Sequence, residues 1–146
     1  MQFVYNDGGR KAAGYKGETS DCVTRAIAIA TGIPYQTVYD TINELAENEK
    51  CPRGNLFRKI GRSNARTGVK KTTYKAYLRS LGWVWTPTML LGQGCKVHLR
   101  SDELPSGIII CQVSRHLVTV IDGAIHDTFD CSRGENRCVY GYWQKI

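Results

Sequence analysis

No stretch of this sequence approaches the roughly 18 to 20 consecutive apolar residues needed to cross a bilayer, so no membrane span or membrane partner is expected. The N-terminal MQFVYNDGGRK lacks a basic run followed by a long apolar one. No secretory leader is therefore expected, and the expected compartment is the cytoplasm. Internal repeats and low-complexity tracts are missing too, which excludes solenoids and linker-rich arrays. Gly8-Gly9-Arg10 is no phosphate loop, because the lysine and hydroxyl residue of such loops do not follow it. Closely spaced double CxxC pairs are absent, so no strong zinc pattern is present and no cofactor is expected.

One further absence is local. From Lys50 to Arg79 there is no Asp or Glu, while ten of the twenty basic residues fall there. The rest of the chain carries ten basic against thirteen acidic residues, so the net charge of +7 is a regional property. Arg58, Lys59, Arg62 and Arg66 recur at near-helical spacing, with Lys70 and Lys71 behind them. Such a surface can neutralise nucleic-acid phosphates or hold an acidic protein, peptide or nucleotide. A solvated loop has the same composition.

What is present suits one domain over residues 1–146: 42% hydrophobic and 23% charged residues are ordinary for a globular chain. Six cysteines in a chain of this kind are expected as free thiols rather than as a disulfide scaffold. Phe3 to Tyr5 reads as a short strand before a glycine-rich loop. Ser20 or Asp21 can cap a helix with Val23, Ala26, Ile27 and Ala30 on one face, closed by Gly32. Pro34 opens a second helix reaching about Glu47. Cys51 to Lys71 reads as a basic loop with a helical turn around Leu56 to Ile60. A third helix, capped by Thr72 or Thr73, runs to Gly82. The second half turns to strand-like runs: Trp83 to Thr86, Ile108 to Val113, Leu117 to Ile121, Ala124 to Phe129 and Val139 to Trp143. Helices first and strands afterwards indicate an α+β domain, its N-terminal helices packed on a C-terminal antiparallel sheet. The three tryptophans and eight tyrosines are expected mainly to fill the space between the two layers.

Within that frame Cys22 falls in the first helical turn, where unpaired N–H groups and the helix dipole favour a thiolate. A buried cysteine packed on Ala26 is the plainer alternative. Asp122-Gly123 is a two-residue hairpin signal that pairs Ile121 with Ala124, Thr119 with His126 and Val118 with Asp127. Alternation then puts His116, Val118 and Asp127 on one face, with Asp127 the diagonal neighbour of His116 and His126 on the other face. A carboxylate beside an imidazole orients it and leaves the second nitrogen to take a thiol proton. Cys22, His116 and Asp127 thus form a candidate nucleophile, base and orienting acid.

Cysteine at the start of an N-terminal helix, then histidine on a later strand and Asp or Asn on the next, resembles the papain-like cysteine peptidase superfamily. DCVTRAIAIATG and SRHLVTVIDGAIHDTFD also resemble small uncharacterised phage and prophage proteins, over most of the chain. The resemblance implies a papain-like fold, a thiol nucleophile at Cys22, an acid/base at His116 and its partner at Asp127. It further implies a bacterial host cytoplasm as the setting and a protein or peptide as substrate. Many papain-like enzymes have a Gln a few residues before the cysteine to help hold the oxyanion; here Lys16 to Ser20 contain none. The backbone N–H of Cys22, helped by Asn6, Thr19 or Ser20, is the expected substitute.

A competing set, Cys95, His98, Cys131 and Cys138, offers four zinc-compatible ligands at spacings that match no common pattern. Two functions follow from the sequence: a thiol hydrolase or acyltransferase acting on a peptide or isopeptide-type acyl group, or a non-catalytic phage protein that binds nucleic acid or an acidic host partner through segment 50–79.

Overall fold

The computed structural model describes residues 1–17, 19–49 and 62–146. Arg58, Lys59, Cys51 and the helical turn expected at 56–60 lie outside the described residues. Among those described, three helices and six strands form an α+β architecture: β1 (Gln2–Tyr5), α1 (Cys22–Thr31), α2 (Tyr35–Glu47), α3 (Lys71–Ser80), β2 (Trp83–Pro87), β3 (Ile108–Val113), β4 (His116–Ile121), β5 (Ala124–Asp127) and β6 (Gly141–Lys145).

One sheet in the order β1-β5-β4-β3-β6-β2 carries the fold. The expectation of a purely C-terminal antiparallel sheet is corrected here. β1 adds to the edge of β5 in parallel, with Tyr5 opposite Asp127, so the sheet is mixed and ties the chain's beginning to its far half. The strand ends also shift. β5 stops at Asp127 rather than Phe129, and β6 starts at Gly141 rather than Val139. The β4–β5 hairpin is built on Asp122 and Gly123 at φ 48° and 80°, the twin positive φ of a turn matched to strand twist. Its register pairs Thr119 with His126, Val120 with Ile125 and Ile121 with Ala124.

The sheet is covered on both faces. On one face Val23, Ile27, Val38, Ile42 and Leu78 of the helices pack against Ile110, Leu117 and Trp143. On the other, Ile109, Val118, Val120 and Ile125 pack under Leu99, Cys131 and Val139 of the connecting loops. Helix α1 is the central piece: Val23 to Ala28 and Ala30 are all buried. Buried hydroxyls fix its position, since Thr119 donates to the Ala26 carbonyl at 2.6 Å and Thr24 to the Ala65 carbonyl at 2.7 Å. Gly32, at φ 74°, ends α1 in a left-handed turn whose N–H reaches the Ala28 carbonyl.

Three local expectations are corrected. Asp21 stands at the N-terminal flank of α1 but makes no side-chain cap. Thr72 and Thr73 lie inside α3, which begins at Lys71 after an uncapped Lys70. Cys95 and Cys138 form a disulfide rather than staying free, although Cys22, Cys111 and Cys131 are free thiols. That bond uses two of the four supposed zinc ligands, and His98 instead makes a β-bridge with Cys138.

Gly141 marks the tightest approach in the sheet. A Cβ there would lie 2.3 Å from Cζ2 of Trp85 and 2.7 Å from the Thr86 carbonyl oxygen. Because Trp85 is held against Trp143 at 5.3 Å between rings, it has little room to retreat. Gly141→Ala is expected to cost about 1–3 kcal/mol and lower the melting temperature by roughly 3–10 °C. An unchanged melting curve would show that the strand pair relaxes freely.

Candidate active site

Three elements end at one place. Cys22 is the first residue of α1, His116 the first of β4 and Asp127 the last of β5. The hairpin register carries His116 and Asp127 onto the same face, and Nε2 of His116 lies 2.7 Å from Oδ2 of Asp127. The Phe129 ring stacks obliquely on the imidazole at 5.3 Å between centroids and shields that bond. With Nε2 engaged, Nδ1 is the nitrogen left to exchange a proton.

Cys22 and His116 line the same two cavities and are coupled electrostatically. Burial is the largest single influence on the thiol pKa and would raise it, but the polar and charged surroundings, His116 first among them, together outweigh burial and lower it. The imidazole charge, a backbone hydrogen bond from Leu117 and the Arg25 charge act in the same direction. Burial would likewise lower the His116 pKa, yet hydrogen bonds to Asp127, Cys131 and Cys22 raise it to about 11. The two opposite shifts each favour the charged form of the group concerned, the thiolate for Cys22 and the imidazolium for His116.

Asp127 is held from behind. Its Oδ1 accepts from Nε of Arg25 at 3.0 Å and from the Thr128 N–H at 2.7 Å, and pairs with Nη2 of Arg25 at 2.8 Å. Burial would raise this carboxyl's pKa, but His116 and Arg25 together lower it. Arg25 also pairs with Asp21, and the Tyr35 hydroxyl donates to the other Asp21 oxygen at 2.6 Å. A continuous chain of hydrogen bonds and ion pairs therefore runs Tyr35–Asp21–Arg25–Asp127–His116, ending at the cavities that Cys22 also lines. Asp21, read from sequence as a cap, and Arg25, which no sequence argument singled out, are its middle links.

The thiol opens onto two cavities. One of 260 Å³ is lined by Cys22, His116, Leu117, Tyr74, Gln112 and Lys71, among others. The other, of 200 Å³, includes Thr19, Ser20, Arg25, Arg115 and Phe129. The three expected oxyanion side chains separate here. Ser20 lines both cavities. Thr19 lines the smaller one but donates its hydroxyl proton to the Arg66 carbonyl at 2.6 Å. Asn6 lines neither: its Oδ1 accepts from the Gly8 N–H and its Nδ2 faces His126.

Cys131 is a member of the site that sequence reasoning placed elsewhere, with the zinc set. It is buried, and its sulfur lies within 4.8 Å of the ligand atoms of His116 and Asp127. That trio could approach a metal ion only by giving up the His116–Asp127 hydrogen bond beside the Arg25 guanidinium, so its donor atoms suit a proton network better than a cation.

The described members of the basic segment have different neighbours. Arg62 caps the C-terminus of α2 through the Ala46 and Glu47 carbonyls at 2.8 and 3.1 Å. Arg66 holds the Lys16 carbonyl at 3.1 Å, and Lys70 lies 4.0 Å from Glu49. Lys71 alone of the four borders the thiol cavity. Arg62, Arg66 and Lys70 thus have partners within the fold, whereas Lys71 is exposed. No helix among the described residues is long and apolar enough to cross a membrane.

No family model matches the chain, and neither a curated protein nor a solved structure matches it significantly.

Proposed function

We propose that this chain is a papain-like thiol hydrolase or acyltransferase acting on a peptide or isopeptide-type acyl group. The observation that carries the reading is the imidazole of His116, bonded through Nε2 to Asp127 at 2.7 Å while it lines two cavities together with the Cys22 thiol. A surface histidine or an inert core cysteine has no need of such an arrangement.

The steps follow from the charges. The Cys22 thiolate adds to the acyl carbon, and the carbonyl electron pair moves onto oxygen. The orphan N–H of Cys22, at the start of α1, faces the developing charge together with the helix dipole. When the intermediate collapses, His116 Nδ1–H gives its proton to the departing amine, leaving a thioester on Cys22. Water or an acceptor amine then attacks the thioester, His116 takes the attacking group's proton, and the thiolate leaves to re-form the ion pair. Asp127 keeps its charge throughout, orienting the ring and stabilising the imidazolium.

The test is iodoacetamide alkylation of Cys22 against pH, with Cys22→Ala as background. A lowered thiol pKa keeps wild-type alkylation fast below the ordinary thiol range, falling only as acid protonates the sulfur. His116→Ala removes the largest stabilising contact, so the profile moves to higher pH, with an expected loss on the order of tenfold or more at pH 6. An ordinary thiol profile in the wild type, unmoved by His116→Ala, would remove the basis for the enzymatic reading.

A further inference from the structure

We propose that Gln112 is the side-chain oxyanion donor of this site, supplied from β3 in place of a glutamine preceding the nucleophile, with Tyr74 as the residue that positions it. The proposal rests on the reading of Cys22 as a nucleophile.

Four observations carry it. First, Gln112 is 7% exposed yet lines the 260 Å³ cavity that holds Cys22 and His116. Second, its orientation is set: Oε1 accepts the Tyr74 hydroxyl at 3.1 Å. The amide NH2 has no protein acceptor among the described residues, and it is not walled off as a fully buried orphan. A buried polar group left with open donors calls for an explanation, and a ligand oxygen in the cavity provides one.

Third, the register sets Gln112 opposite Leu117, next to His116 in the strand. Cross-strand partners share a face, and Gln112 and Leu117 line one cavity with Cys22 and His116. Tyr74 senses the same sulfur: burial first, and the Cys22 charge second, raise its pKa to about 12, keeping the phenol protonated as the donor to Oε1. Fourth, the mount is rigid. β3 lies between β4 and β6, and the Gln112 carbonyl accepts the Tyr140 N–H at 2.9 Å. A donor fixed before the reaction is what stabilises charge that appears only in the transition state.

The pair of donors would be the Cys22 backbone N–H and Gln112 Nε2. As the thiolate forms its bond to the acyl carbon, the carbonyl electrons move onto oxygen between these donors. They return as the leaving group departs.

Two probes separate this role from nucleophile activation. Acylation by 4-nitrophenyl acetate passes through an oxyanion; alkylation by iodoacetamide, a displacement at saturated carbon, does not. Gln112→Met, of similar length but without N–H groups, is expected to acylate about 100-fold more slowly while its alkylation rate and pH profile stay within about twofold. Gln112→Glu keeps an acceptor for Tyr74 but presents oxygen to oxygen, and is expected to lose at least as much. Tyr74→Phe frees the amide without removing it, with an expected fall of roughly tenfold in acylation alone. Unchanged acylation in Gln112→Met and Gln112→Glu, or an equal loss of both rates, overturns the oxyanion assignment and leaves the nucleophile intact. A wild-type Cys22 that reacts with iodoacetamide as an ordinary thiol overturns the nucleophile and, with it, this inference.

Discussion

Asp127→Asn is expected to slow acylation of Cys22 by 4-nitrophenyl acetate at pH 7 by about 10³–10⁴-fold, the scale of a wrong-tautomer defect in other triads. The substitution looks mild, since asparagine keeps the shape of aspartate and an oxygen that can accept from the ring. The surroundings make it severe here. Oδ1 of Asp127 faces three donors, Arg25 Nε and Nη2 and the Thr128 N–H. Asparagine has one oxygen, and placing its NH2 against those donors would set N–H against N–H. The amide oxygen must therefore turn toward Arg25, presenting NH2 to His116 Nε2. An imidazole that accepts at Nε2 carries its proton on Nδ1, so the nitrogen meant to take the thiol proton is already occupied. The neutral amide also withdraws the charge that holds His116 protonated, and the ion pair is lost. The defect should shrink as pH rises past the ordinary thiol range, because the sulfur then ionises without help. A loss below tenfold at pH 7 would show that the ring is oriented by something other than this carboxylate.

The His116–Asp127 pairing was legible because it depends on local rules. A two-residue Asp-Gly turn admits one register, and strand alternation then decides which side chains share a face. Cys22 was legible for the same kind of reason, being early in a helix whose apolar spacing repeats. The sheet edge was not. β1 is four exposed residues long and pairs with a strand about 120 positions away, so nothing beside it in sequence names its partner. The Cys95–Cys138 disulfide spans 43 residues, and six cysteines leave many pairings open.

Charge in the core was the larger omission. Asp21 near a helix start looks like a cap, and Arg25 on a helix looks like a solvated residue. A signal was nonetheless present. Asp21 and Arg25 are four apart, and the positions after Arg25 are Ala, Ile, Ala, Ile and Ala, which leaves α1 no polar face for Arg25 to occupy. A charged pair on a helix with no wet side is a buried pair. Gln112 follows the same logic. It interrupts the apolar run Ile108 to Val113, and a lone amide inside such a strand must meet either a partner or a ligand.

The second large effect is on stability. Arg25→Met is expected to cost about 3–5 kcal/mol, the usual result of removing one partner from a buried ionic network. In a chain of this length that corresponds to roughly 10–15 °C in melting temperature. Among the described residues Arg25 is the only cation that reaches both buried carboxylates, whose side chains are 0% and 2% exposed. Without it Asp21 keeps the Tyr35 hydroxyl and a distant Arg10 at 3.9 Å, and Asp127 keeps His116 and the Thr128 N–H. Methionine fills much of the arginine stem's volume, so the loss measures charge more than packing. Arg25→Lys should recover less than half of it, because one ammonium cannot reproduce a fork that serves two acids. The sign of the pH dependence supplies a second check. Asp127 has its folded-state pKa lowered, so its contribution to stability is present above the unfolded value of about 4 and disappears as pH falls through the lower folded value. The wild-type and Arg25→Met melting temperatures should converge on acidification through that window. A deficit that stays constant from pH 7 to pH 3 would assign the loss to packing and remove Arg25 from the charge chain behind the imidazole.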